Sequence, residues 1–225
     1  MQKMIAATLL GSAGAASAAI DTFENRTDWL TALGGPATTE TFEDETLGEI
    51  ASPTAFATGL SGGVGTSTFI SIEAGDPDVF GFQNTTFEGR NYLRYGQPGD
   101  TGNIAPVFTV PEDVFGLGFD ISAWQPLLSA GGPGVGGMNI SLRNDGFVVD
   151  EIFFFSDGSP LPLFIGVLSN ESFDEVRLNI TQLTDIDGGA IADYVAFDDV
   201  AFGVPAPGAA VLLGLGGLAA TRRRR

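Results

Sequence analysis

The chain has no cysteine, no histidine and, among its 225 residues, one lysine. Without cysteine no disulfide can staple the fold, so stability has to come from burial. Without histidine there is no Ser-His-Asp triad, without cysteine no thiol nucleophile, and zinc loses both of its preferred ligands. Basic residues are scarce, ten against 28 acids. Lys3 and the last four arginines sit at the extreme ends, so between Asp21 and Asp199 five arginines face all 28 carboxylates. Such a field repels phosphates and rules against nucleic acid as a partner. It favours cations and suits a protein kept soluble in saline surroundings. Long apolar runs occur only at the two ends.

What is present is enough to fold. Eighteen Phe, with Val, Ile and Leu throughout, supply apolar surface for a core in one domain. Met1 to Ala18 reads as a secretory signal peptide: Lys3, an apolar stretch, then Ala16-Ser17-Ala18 as a cleavage site. The other end runs from Val204 through Pro205-Ala206-Pro207-Gly208, an apolar stretch from Ala209 to Ala220, and Arg222, Arg223, Arg224 and Arg225. The apolar stretch is short for a span, but four guanidinium groups resist translocation and stop it with the body outside. This order of breaker, apolar segment and arginine cluster resembles the PEP-CTERM sorting signal of Gram-negative bacteria, with Ala206 in place of the central Glu of that family. The resemblance implies an exosortase-type processing enzyme as partner, transient anchoring in the inner membrane, and a destination at the cell surface or in the extracellular matrix, where exopolysaccharide and biofilm are the setting. The division expected is a signal peptide at 1–18, a β-sandwich at 19–203 and a sorting tail at 204–225.

The body reads as all-β. One short helix is expected between Asn25 and Gly35, capped by Asn25 or Thr27, with Trp29, Leu30 and Leu33 inward and Gly34-Gly35 as its stop. About ten β-rich runs then alternate with Gly, Pro, Asn and Asp breakers. Asn144-Asp145-Gly146 is a hairpin signal. Ser61-Gly-Gly-Val-Gly65 and Gly131 to Gly137 read as loops, and Phe153-Phe154-Phe155 as a strand buried on both faces. The architecture expected is an antiparallel β-sandwich of jelly-roll type with one short N-terminal helix and a hydrophobic helical tail. Thr41-Phe42-Glu43-Asp44, Phe115 to Phe119 and Phe197 to Val200 are similar to motifs of exported PEP-CTERM jelly rolls.

One constellation carries chemistry. The first and last strands of a jelly roll often lie side by side, which brings Glu43 towards Asp198 and Asp199. Carboxylates at close range need a cation or protons between them, and calcium, with its oxygen ligands, suits such a seam. The placement resembles sandwich carbohydrate-binding modules that hold a structural calcium, which implies Glu43 and one of Asp198 or Asp199 as ligands. Strand alternation sends Asp198 and Asp199 to opposite faces, so one at most points inward. Asp185-Ile-Asp187-Gly188 is a weaker cation loop. Trp124, Tyr92 and Arg94 are the candidates for a sugar-binding surface. The chain therefore reads as a non-catalytic exported protein associated with polysaccharide, or as a carbohydrate-binding module with a structural calcium. A glycoside hydrolase is the remote alternative, because the acids lack the strand spacing such enzymes use.

Overall fold

A computed structural model of the chain describes residues 20–65, 69–75, 78–79, 82–83, 87, 90–96, 103–122, 136–156, 164–182 and 194–205. The segment 1–18 read as a signal peptide, Trp124, the Asp185 loop and the tail beyond Pro205 lie outside them. Strand β1 (Ile20–Phe23) precedes helix α1 (Arg26–Leu33). Strands β2 (Ala37–Glu40), β3 (Gly48–Ile50), β4 (Thr54–Ala55), β5 (Ser61–Val64) and β6 (Phe69–Ala74) follow. Next come β7 (Asp78–Val79), β8 (Phe82–Gln83), β9 (Asn91–Gly96) and β10 (Asn103–Ile104). The longer strands are β11 (Pro106–Ser122), β12 (Gly136–Asn144), β13 (Phe147–Ser156), β14 (Phe164–Gln182) and β15 (Tyr194–Gly203). The fold is all-β apart from α1, and among the described residues every pairing is antiparallel.

Two strands of double length organise the sandwich. Both bend at bulges, between Thr109 and Gly116 in β11 and opposite it in β14, where an extra residue lets a strand turn a corner. Their outer halves therefore belong to different layers. The first layer runs β3-β6-β9-β15, then the second half of β11, the first half of β14, and β1. The second runs β4-β5, the first half of β11, the second half of β14, β12 and β13. Alternating side chains from both layers fill the core. Its centre is aromatic: Phe197 meets Phe108 and Phe119 at 5.3 Å and Tyr95 at 5.6 Å, all edge-on. Such pairs add about 0.5–1.5 kcal/mol each beyond their buried area.

Helix α1 forms where the sequence says. Asn25 caps it, accepting from the N–H groups of Thr27 and Asp28, and Gly34 closes it at φ 62°. Trp29 and Leu33 are buried, whereas Leu30 is 40% exposed and faces solvent. The indole of Trp29 lies on Gly116, Gly118 and Gly166 of the first layer and donates to the Val167 carbonyl at 3.1 Å. A Cβ at Gly166 would stand 2.6 Å from the ring, so only glycine admits the helix there.

Other expectations change. Ser61-Gly-Gly-Val64 is strand β5, paired with β11, and Gly62 in it admits Tyr95 and Phe56 against the backbone. The Asn144-Asp145-Gly146 turn is present, with positive φ at Asp145 and Gly146. Phe153 is not core: alternation along β13 puts it on the outer face, 58% exposed, while Phe154 beside it packs against the core.

Candidate functional site

The strand expected to be first is the second, β2; it runs along β15, with Glu40 opposite Val200, while β1 pairs with β14. Of the three carboxylates expected at that seam, Glu43 goes to Asn91, while Asp198 and Asp199 share Arg90. Glu43 is exposed, and its Oε1 accepts from the Asn91 N–H at 3.2 Å while the Asn91 amide donates to the carbonyls of Phe42 and Glu43. Asp198 is fully buried, and its Oδ1 accepts from the Asp199 N–H at 2.6 Å. Arg90 reaches both aspartates, with Nη2 at 3.0 Å from Asp198 and Nη1 at 2.8 Å from Asp199. Alternation had sent the two aspartates to opposite faces. Asp199 instead adopts φ 47° beside a register shift, an inserted residue that turns both carboxylates towards Arg90.

A second arginine extends the cluster. Arg26 of α1 binds Asp120 at 3.1 Å and donates to the Asp199 carbonyl at 2.8 Å, and its guanidinium lies 4.7 Å from the Phe164 ring centre. Burial, and then the charge of Asp199, push the Asp198 carboxyl up to about 7; the Asp199 N–H and Arg90 pull the other way. Burial also raises Asp120, with Arg26 opposing it. Hydrogen bonding to Asp199 raises Arg90. The cation facing the aspartates is thus a guanidinium. Among the described residues no three acids, histidines or cysteines stand together in a way that could hold a metal ion.

Tyr92 and Arg94 lie together on the outer face of the first layer. Tyr92 is 4% exposed, its ring 5.4 Å from Phe87, and its hydroxyl donates to Glu73 at 3.4 Å. Arg94 pairs with Glu73 at 2.6 Å and lies over the Phe69 ring. Of the residues expected to form a sorting signal, Pro205 is half-buried; Ala206, Pro207, Gly208 and the four terminal arginines lie outside the described residues.

The surface that sequence reasoning missed is the outer face of the second layer. Strand register fixes it. Phe108, Val176, Leu178, Ile140 and Met138 point into the core, so their neighbours point out. One row across three strands reads Phe153, Asn139, Asn179. The adjacent row reads Glu151, Ser141, Arg177, Val107, Gly63. At about 4.8 Å per strand, that five-strand row is about 19 Å long. Arg177 is neutralised by Glu175 at 2.6 Å. Ser141 is 6% exposed, and its Oγ has no hydrogen-bond partner. Helix α1 packs on the other layer. The signal for this face was the alternation Asn139-Ile-Ser-Leu and Arg177-Leu-Asn, read together with the edge position of Phe153.

No family model matches the chain, and no curated protein matches it. Solved structures share its β outline at low identity. The K1 cleaved adhesin domain of Lys-gingipain from Porphyromonas gingivalis W83 aligns at 12% identity and TM-score 0.40 over 76% of this chain and 100% of that one. The CBM22-1–GH10 modules of Clostridium thermocellum xylanase 10B align at 10% and 0.38 over 73% of this chain. The active domain of the bacteriophage CBA120 tailspike protein 4 aligns at 16% and 0.32 over 64%. The chain spans 28% and 19% of the last two. At such scores none of them carries weight for function.

Proposed function

We propose that this chain is an exported, non-catalytic β-sandwich that binds extracellular polysaccharide on the outer face of its second layer, delivered to the cell envelope by the sorting tail. The observation that carries the reading is the Phe153–Asn139–Asn179 row. An exposed aromatic ring offers a face to the C–H side of a pyranose. Carboxamides next to it present both donors and acceptors to hydroxyl pairs. The arginine of the neighbouring row is paired with Glu175, and the charge left on that row is the exposed carboxylate of Glu151, so the face suits an uncharged, extended chain lying across the strands and repels an acidic one.

Affinity of the full chain for a panel of neutral polysaccharides tests it. Phe153→Ala is expected to weaken binding roughly tenfold, the size of a lost stacking contact plus its desolvated surroundings. Unchanged binding in Phe153→Ala and Asn139→Ala, or no binding to any polysaccharide, removes this role. A reporter fused after residue 203 that stays in the cytosol removes the export half of the proposal.

A further inference from the structure

A groove of about 660 Å³ opens at the end of the sandwich where β14 crosses between layers, beside the β12–β13 hairpin. Phe115 and Phe147 line it, with Asn144, Asn170, Asp145 and Glu171 around them. Its volume falls within the range of small-ligand sites. Phe147 is 78% exposed, the most exposed large apolar side chain of the described residues. The hairpin that presents it is held in place: Asn144 Nδ2 donates to the Ser172 carbonyl at 2.9 Å and to its Oγ at 3.1 Å, and the Asp145 N–H donates to Asp174 at 3.3 Å. The one guanidinium at the turn, Arg143, donates to the Gly146 carbonyl at 3.0 Å and does not line the groove. Among the described residues the lining thus combines aromatic faces with two carboxylates and no basic group.

We infer that this groove binds a cationic amino-sugar chain, a partly de-N-acetylated polysaccharide whose protonated amines sit between the Phe147 ring and the Asp145 and Glu171 carboxylates. An ammonium over an aromatic face is attracted by the ring quadrupole, and the carboxylates complete its counter-charge. The sugar ring supplies the apolar face for Phe115. Charge complementarity selects this occupant: the acidic body draws cations towards it and repels acidic glycans. The site is separate from the Phe153 row and stands without it.

Binding of the full chain to three oligomers of equal length tests the assignment at low ionic strength and mildly acidic pH: glucosamine, N-acetylglucosamine and lysine. The glucosamine oligomer is expected to bind, and the acetylated one to bind at least about tenfold more weakly. Phe147→Ala and the double variant Asp145→Asn, Glu171→Gln should each weaken glucosamine binding about tenfold. Asn tolerates the left-handed backbone at position 145, and the other two side chains are exposed, so the fold is not at issue. Glu24→Gln with Glu49→Gln makes the same charge change at exposed positions outside the groove and should leave binding intact. Equal losses in that control, equal affinity for the acetylated oligomer, or oligolysine binding as tightly as glucosamine would overturn the inference. Because the groove and the Phe153 row are separated by their variants, with the oligomers compared in Phe153→Ala as well as in the wild type, failure here leaves the neutral-polysaccharide reading standing.

Discussion

Asp198→Asn replaces one oxygen with an amide nitrogen at the centre of the arginine cluster and leaves the packing of β15 in place. The wild-type carboxyl is raised from 3.8 to about 7, by burial and then by Asp199. Between those values the folded chain holds a proton that the unfolded chain has released. The stabilisation is complete below the unfolded value and is lost as pH rises through the folded one. Each pH unit of that interval is about 1.4 kcal/mol, so about 4 kcal/mol disappears across it. The carboxamide of the variant still accepts from the Asp199 N–H, has no proton to release, and leaves Arg90 with Asp199 at 2.8 Å. The remaining groups that face the site, Asp120 and Arg26, are common to both proteins. Denaturant unfolding of both from about pH 4 to about pH 8 should show the variant gaining on the wild type by up to about 4 kcal/mol, with most of the gain before pH 7. Parallel curves refute the reasoning. The same series in calcium and in EDTA tests the ion expected at this seam: a cation bound only to the native state must raise the midpoint. With Arg90 already between the aspartates, the two curves should coincide.

Two further substitutions probe the packing. Gly166→Ala puts a Cβ 2.6 Å from a Trp29 ring that is also pinned by its bond to Val167; a loss of about 1–3 kcal/mol in denaturant unfolding is expected, and no loss would mean that α1 is not seated on those glycines. Tyr95 is fully buried with an unpartnered hydroxyl, and burial raises its pKa. Tyr95→Phe should therefore stabilise the protein by about 1 kcal/mol, whereas a lower midpoint would show that the hydroxyl has a partner.

What the sequence reveals here is local chemistry. Asn25 and Gly34 bracket α1 because cap residues act within a turn of themselves, and Asn144-Asp145-Gly146 folds back for the same reason. Strand runs were legible wherever alternation was clean, as in Asn91–Gly96. The rest depends on partners far along the chain. Pro111 and Asn170 look like breaks, yet they lie within β11 and β14, whose bulges absorb them. Phe153 reads as core until the pairing of β13 with β12 shows which face it takes. Glu43 and the two aspartates were read as one acidic set. Arg90, 109 residues before Asp199, supplies the charge that separates them, and no spacing along the chain announces that pairing.

β15 is flanked on both sides, by β11 along one edge and by β9 and β2 along the other. Any pull transmitted through the residues after Gly203 therefore enters an interior strand. Tension along that strand loads the inter-strand bonds of both its edges in shear at once, where a border strand would carry the same tension on one edge alone. Were the chain held through the residues after Gly203, drag on whatever it holds would be shared by both edges of β15.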